Sequence, residues 1–246
     1  MKNTSVETAR FHSLSELNEK CAELIIACAD EAIDKRGGFS LVLSGGTTPQ
    51  SLYTLLATPM IRRRLNWQKI HFFWGDERCV PADHPASNFK MADDALLSKI
   101  SVPQTQIHRM KGELEPRAGA LDYEKIIKDT ALLCNHPGTA ENLPTFDLVL
   151  LGLGNDGHTA SLFPGSEALD EKERLVCAVP APAAEPAVPR LTLTLPVLNN
   201  ARNVWFIAAG SHKGAIAEAI WSQNNSQGYP AAQIRPHKNL RWFVTL

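Results

Sequence analysis

Residues 152–165 read GLGNDGHTASLFPG and place several residues with chemical potential in one short stretch. The first six match G-x-G-x-x-G, a pattern typical of loops that bind a dinucleotide. Asp156 and His158 follow, separated by Gly157, which lets both side chains project from a sharp turn. Histidine titrates near neutral pH and therefore suits general acid–base catalysis. The stretch supports two competing interpretations, a cofactor loop and a catalytic histidine.

The surrounding sequence argues against the cofactor loop. In a dinucleotide site the third glycine begins an uninterrupted helix, and an acidic residue ends the next strand about 20 residues later. Here Pro164 and Gly165 follow soon after Gly157 and would interrupt that helix. Glu173 lies at the right distance but precedes the next apolar segment instead of ending it. We interpret the glycine pattern as accidental.

The sequence of this loop alone allows more than one interpretation of Asp156 and His158. They are either an acid–base pair, or a helix-capping aspartate beside an incidental polar histidine. A metal site is disfavoured because H-E-x-x-H and comparable ligand spacings are absent, and we predict none. A serine nucleophile is also disfavoured, since no G-x-S-x-G occurs. The remaining histidines have no ligand spacing and are interpreted as surface or packing residues: 12, 71, 84, 108, 136, 212 and 237.

The elements that would position these residues alternate between strands and helices. Apolar runs predict strands at 39–43, 70–74, 145–153, 174–180, 190–196, 203–209 and 240–246. Helices are predicted from Ser15 to about Asp34, from Ser87 to about Ser98 and from Glu115 to near Cys134. Two more follow glycine-containing turns, one with Thr48 and one with Ser211 as N-cap. This order predicts an α/β fold, a mostly parallel doubly wound sheet with helices on both faces.

Ligands of open α/β sheets bind outside the carboxyl ends of the strands, so the loops that follow the predicted strands are where binding residues are expected. The loop after residues 39–43 is Ser44-Gly45-Gly46-Thr47-Thr48 and leads straight into a helix. Glycines let the backbone approach an anion, and hydroxyls with free N–H groups can bind a phosphate. The alternative is an ordinary tight turn with a good N-cap.

Charged residues follow two other predicted strands. Asp76, Glu77 and Arg78 come directly after residues 70–74, where they could equally form a structural ion pair. Arg190 begins the TLTL segment, and Lys213 lies in the first turn of a helix. A lysine there opposes the helix dipole, which is a weak indication of an anionic ligand. Each cation alone also fits a solvated surface position.

Composition narrows the class of protein. The chain has 246 residues with a formal net charge of -1, so neither a nucleic acid nor a membrane surface is an expected partner. Its five cysteines show no C-x-x-C pair, which favours free thiols in a reducing compartment. No apolar run approaches the roughly 20 residues that span a bilayer. We expect a cytoplasmic protein, one domain over 1–246, in which the proline-rich residues 180–189 form a loop.

Several segments together resemble one family. The sequence is similar to the glucosamine-6-phosphate isomerase/6-phosphogluconolactonase superfamily and, within it, to the 6-phosphogluconolactonases. The segments appear in that family's order, and the block from Asp156 to Gly165 is the most specific of them. They are SGGTTP (44–49), GDERCVP (75–81) with Ser87-Asn88, GLGNDGHTASLFPG (152–165), PRLTLTLPVLNNA (189–201) and the helix of Lys213.

The resemblance implies hydrolysis of 6-phospho-D-glucono-1,5-lactone without a metal or an organic cofactor. His158 matches the proposed base that activates water, Asp156 would orient it, and Arg78 would stabilise carbonyl charge or anchor the substrate. The implied substrate- and phosphate-binding residues are Ser44, Gly45, Gly46, Thr47, Asp76, Asn88, Arg190 and Lys213. The expected partner is a sugar-phosphate lactone, and the expected assembly is a monomer or a small homo-oligomer.

Two alternative functions stay open. The related deaminases of glucosamine 6-phosphate carry a glutamate five residues after the histidine, where this chain has Phe163. Their acidic-acidic-aromatic block is also replaced, with Arg78 in the third place. Both departures favour the lactonase. A non-catalytic sensor of sugar phosphates is the alternative from another class, although Asp156 and His158 are both present.

Overall fold

In the computed structural model, the structure describes residues 5–130, 143–183, 185–222, 227–236 and 238–245. Strands within these ranges are β1 Ser5–Phe11, β2 Phe39–Leu43, β3 Ile70–Trp74, β4 Asp76–Arg78, β5 Leu148–Leu151, β6 Val176–Val179, β7 Arg190–Leu193, β8 Asn203–Ala208 and β9 Asn239–Thr245. Helices are α1 Leu14–Arg36, α2 Thr47–Leu56, α3 Pro59–Arg62, α4 Asn88–Ala95, α5 Pro116–Asp129, α6 Leu195–Asn199 and α7 Ser211–Trp221.

Six strands form the main sheet in the order β1-β9-β8-β5-β2-β3, and all its neighbouring pairs are parallel. Its central strands are buried along their whole length, as expected of a sheet covered on both faces. Trp74, Trp205 and Trp242 are among the largest fully buried side chains. The predicted mostly parallel α/β architecture is confirmed.

The segments predicted as strands at 174–180 and 190–196 lie outside the main sheet. Strands β6 and β7 pair antiparallel with each other, and β7 pairs antiparallel with β4. Strand β4 comes from residues that we predicted to be a polar loop. An apolar run shows that a strand is buried but does not identify its partner, and three charged residues gave no strand signal. Strand β1, at the edge of the main sheet, was not predicted either.

The predicted N-caps Thr48 and Ser211 are wrong by two residues and one residue, because the caps are Gly46 and Gly210. Helix α2 begins at Thr47 behind Gly46, and α7 begins at Ser211 behind Gly210. Both caps are glycines with φ near 100°, and neither has a side-chain cap bond. A backbone with positive φ is open to glycine and strained for serine or threonine. The predicted end of the third helix near Cys134 lies outside the described residues.

The order of the strands reverses beside β2. The chain passes from β2 to β3 on one side of it and later places β5 on the other side. The loops after β2 and β5 therefore leave the sheet on either side of a crevice, the usual ligand-binding position in this architecture. No helix in the described part of the chain is long and apolar enough to cross a membrane.

Asp147 joins β2 to β5 at the opposite end of these strands. Its side chain is 7% exposed, and its Oδ2 accepts hydrogen bonds from the backbone N–H and the hydroxyl of Ser40, both at 2.9 Å. Its Oδ1 pairs with Arg36 at 2.9 Å and Arg202 at 3.1 Å. A buried carboxylate with this many donors fixes how the two strands lie relative to each other.

We predict that Asp147→Ala lowers the free energy of unfolding by about 3–5 kcal/mol, because two arginines lose their buried partner. Chemical denaturation followed by circular dichroism measures the change. Glu31→Ala is the matched control, since Glu31 forms an exposed pair with Lys35 on α1 and should matter little. Equal stability of the two variants would contradict a cross-linking role for Asp147.

Candidate active site

A cleft of about 300 Å³ opens at the carboxyl ends of β2 and β5. It is lined by backbone and side chains from both sheets and from the start of α7. The sequence-predicted residues that line it are Ser44, Gly45, Gly46, Thr47, Asp76, Arg78, Asn88, His158, Arg190 and Lys213. Asp156 is the one predicted site residue that is not part of this lining, because it lies behind His158.

Asp156 and His158 are in direct contact. The Nδ1 atom of His158 lies 2.5 Å from Oδ1 of Asp156, which also accepts the backbone N–H of His158 at 3.1 Å. Partial burial raises the pKa of Asp156, but the backbone N–H and the ring of His158 lower it by more. The pKa of Asp156 therefore lies below its usual value. The contact at Nδ1 leaves Nε2 as the ring nitrogen that can take a proton from a ligand.

Glycines let this loop fold tightly around the histidine. A Cβ atom on Gly154 would lie 2.1 Å from Nδ1 of His158, and the N–H of Gly154 donates to the His158 carbonyl at 2.9 Å. Gly157 has a φ of 76° and packs against the ring of Tyr229. Phe163 covers the imidazole, with ring centroids 4.6 Å apart. The glycine pattern thus serves the placement of a side chain.

The loop after β2 is tied to both neighbouring segments. The hydroxyl of Ser44 accepts the N–H of Gly152 at 3.1 Å, which connects it to the loop after β5. Gly45 lies against Asn88, whose Oδ1 would be 2.0 Å from a Cβ atom at that position. Only a glycine permits this approach. The backbone of residues 44–47 thereby faces the cleft in a fixed conformation.

Arg78 and Arg190 are register partners across β4 and β7, and both line the cleft. Arg190 donates from Nε to Val188 at 3.1 Å and from Nη2 to Pro186 at 2.8 Å, while Nη1 of Arg78 donates to Ala86 at 2.6 Å. These acceptors are neutral carbonyls, and within the described residues neither arginine forms an ion pair. Burial lowers the pKa of Arg190, and the neighbouring Arg78 lowers it further. Two adjacent cations without a carboxylate partner are able to bind an anion.

Lys213 adds a third cation from the first turn of α7. The preceding residue, His212, places its Nε2 atom 3.3 Å from the carbonyl of Asn155 in the histidine loop. Asp76 supplies a carboxylate on the same wall as Arg78. Its Oδ2 accepts the Ser161 hydroxyl at 2.7 Å, and its Oδ1 faces the Asn88 amide at 3.3 Å.

Sequence reasoning missed two residues here, Ser161 and Glu185, and did not separate Glu77 from the residues that line the cleft. Ser161 is fully buried behind Asp76, and nothing in the HTASLF segment distinguishes it from a packing residue. Glu185, in the proline-rich loop, brings a carboxylate to the cleft. Glu77 is buried and faces away from the cleft, which alternation would have shown had residues 76–78 been recognised as a strand.

Across the described ranges, no group of three or more histidine, cysteine, aspartate or glutamate side chains could hold a metal ion. The chemistry on hand is an imidazole backed by a carboxylate, facing three cations.

We predict that Gly154→Ala lowers kcat by about 10²-fold, because the new methyl group displaces the imidazole from its position. Steady-state kinetics with the substrate proposed below measure it. Gly165→Ala is the matched control: its φ of 73° makes alanine strained, but no atom lies within 4 Å of the added Cβ. A similar loss in both variants would contradict this reason, since Gly165→Ala disturbs the loop without contacting His158.

The comparisons with known proteins agree with this geometry. The model of the glucosamine-6-phosphate isomerases/6-phosphogluconolactonase family matches residues 12–242. A 6-phosphogluconolactonase of Synechocystis sp. is 41% identical over 230 residues, which cover 93% of this chain and 90% of that protein.

Solved structures are similar over nearly the whole chain. The 6-phosphogluconolactonase of Thermotoga maritima superposes with a TM-score of 0.84 at 28% identity, covering 98% of this chain and 100% of that one. That of Leishmania guyanensis superposes with a TM-score of 0.82 at 32% identity, covering 97% and 96%. The resemblance seen in the sequence is confirmed: the chain belongs to the glucosamine-6-phosphate isomerase/6-phosphogluconolactonase family.

Proposed function

We propose that this protein hydrolyses 6-phospho-D-glucono-1,5-lactone to 6-phospho-D-gluconate, with His158 as general base. The observation that carries the proposal is the contact of Asp156 with Nδ1 of His158, at the edge of a cleft lined by three cations. The relatives named 6-phosphogluconolactonase support the same reaction. The substrate combines an electrophilic carbonyl with a dianionic phosphate, which matches the two kinds of group in the cleft.

His158 would remove a proton from water through Nε2 as the water oxygen bonds to the lactone carbonyl carbon. The tetrahedral intermediate then collapses, the bond from that carbon to the ring oxygen breaks, and the proton passes from Nε2 to the ring oxygen. Asp156 stabilises the imidazolium that exists between the two steps. General base catalysis contributes roughly 10²–10⁴-fold, and positioning of the substrate can supply further acceleration.

The phosphate would bind to Arg190, Lys213 and the backbone of the loop after β2. The bonds of Arg190 to the loop carbonyls use Nε and one N–H of Nη2, so Nη1 and the second N–H of Nη2 can donate to an anion. Because Arg78 is the register partner of Arg190, we infer that it anchors the substrate from the same wall. The phosphate is remote from the carbonyl, and its binding energy serves to orient the reacting end.

The deaminase alternative is weaker at Phe163. An apolar ring covers the imidazole at the position where the deaminases carry their glutamate, so no second acid is present there for ring opening. The sensor alternative lacks an observation in its favour, since the histidine, its carboxylate partner and the cations all meet at one cleft.

We further propose that the protein works in the cytoplasm.

We predict that His158→Ala lowers kcat by about 10²–10⁴-fold while the affinity for 6-phosphogluconate stays within about threefold of the wild type. The lactone is generated in situ, and the product is measured with a coupled dehydrogenase in the presence of a chelator. Calorimetric titration gives the affinity. Equal losses of turnover and binding would contradict a role as base, and no acceleration by the wild type would overturn the proposed reaction.

We predict that Lys213→Ala weakens binding of 6-phosphogluconate by at least tenfold and leaves binding of unphosphorylated gluconate nearly unchanged, because only the phosphate contacts this lysine. Lys125→Ala, which removes an exposed lysine from α5, is the matched control. A loss of the same size for both ligands would show that Lys213 does not bind the phosphate.

A further inference from the structure

Glu77 lies at the centre of a buried network that the proposed mechanism does not use. Its side chain is 2% exposed and points to the side of β4 opposite the cleft. Oε1 accepts the backbone N–H groups of Arg78 at 2.8 Å and Asn88 at 2.7 Å. Oε2 accepts the N–H of Phe89 at 2.8 Å and the hydroxyl of Ser87 at 3.0 Å.

This network attaches helix α4 to strand β4. Two of the four donors are the first N–H groups of α4, where the helix dipole favours a negative charge. Asn88 then reaches back to β4, where its Nδ2 donates to the carbonyl of Asp76 at 2.9 Å. Its other side meets Gly45 in the loop after β2. One carboxylate therefore connects two walls of the cleft.

The partners of Glu77 are neutral, and among the described residues it forms no ion pair. Burial raises the pKa of Glu77, and the three backbone N–H bonds oppose that rise. The carboxylate of Glu77 binds the backbone N–H of Arg78 but not its guanidinium. The guanidinium of Arg78 therefore lies in the cleft, where it donates to the carbonyl of Ala86. A salt bridge would have occupied the same donors.

We propose that Glu77 is a positioning residue for the reaction, acting through Arg78. It fixes the backbone of Arg78 on β4 and the start of α4 so that the guanidinium faces the substrate beside Arg190. The proposal rests on the proposed function for its kinetic readout. It assigns Glu77 no contact with the substrate.

A double-mutant cycle tests this role with wild type, Glu77→Gln, Arg78→Ala and the combined variant. The amide of glutamine keeps one acceptor oxygen and turns an NH₂ group toward two donors. We expect Glu77→Gln to lower kcat/KM by about 10²-fold and to weaken binding of 6-phosphogluconate about tenfold. In the Arg78→Ala background the same change should alter both quantities less than about threefold, because the residue it acts through is gone.

An undiminished effect in the Arg78→Ala background would overturn the proposal in favour of a general structural role. Tighter binding of 6-phosphogluconate by Glu77→Gln would also overturn it, since a carboxylate that merely repelled the ligand through space would behave so. If the wild type fails to hydrolyse the lactone, the proposed function is wrong. The double-mutant cycle for binding of 6-phosphogluconate still tests whether Glu77 acts through Arg78. The two failures are therefore distinguishable.

Ser87→Ala provides a milder perturbation should Glu77→Gln not fold. It removes one of the four donors and leaves the charge in place, so we expect binding of 6-phosphogluconate to weaken several-fold. Ser87 also caps α4 by accepting the N–H of Lys90 at 3.1 Å. Ser13→Ala, which removes the equivalent cap of α1, controls for that loss. An equal binding loss in both serine variants, or none in Ser87→Ala, would overturn the proposal.

Discussion

The parallel pairing of β2 with β5 is the constraint on which the site depends. The strand order reverses beside β2, so the two loops diverge and leave space between them. Asp147 fixes the two strands at one end, and the bond from Gly152 to Ser44 joins the loops at the other. A shift of one strand along the other would separate the histidine loop from the glycine loop. The cleft therefore depends first on the register between β2 and β5, and only then on the side chains that line it.

The cleft keeps its charges apart. Arg78 and Arg190 donate to carbonyl groups, whereas Asp76 and Glu77 accept from hydroxyl, amide and backbone donors. Opposite charges that lie a few residues apart thus avoid direct pairing. Burial lowers the pKa of Arg190, and the guanidinium of Arg78 beside it lowers that pKa further. An anionic ligand relieves that repulsion, which is how a preorganised site differs from a surface ion pair.

The sequence predicted five of the six strands of the main sheet, all but the edge strand β1, because buried parallel strands are nearly continuous apolar runs. It also predicted which loops would meet, since the carboxyl ends of such strands lie at one edge. Strand β4 was not predicted because Asp76, Glu77 and Arg78 are not apolar. Their side chains nevertheless alternate as in a strand, with Asp76 and Arg78 facing the cleft and Glu77 facing the interior. Ser161 was not predicted because a sequence does not show which partner a buried serine binds. Its hydrogen bond to Asp76 is visible only in the structure.

Two sheets with different strand directions share the site, and this division explains the position of Gly75. Its N–H donates to Leu43 at the end of β2, and its carbonyl accepts from Leu193 at the end of β7. One residue therefore passes the chain from the parallel sheet to the antiparallel one. The histidine belongs to the first sheet and the paired arginines to the second, so the distance between the proposed base and the proposed anion site depends on this junction. The bonds of Ser161 to Asp76 and Thr192 fasten the same junction from the histidine loop.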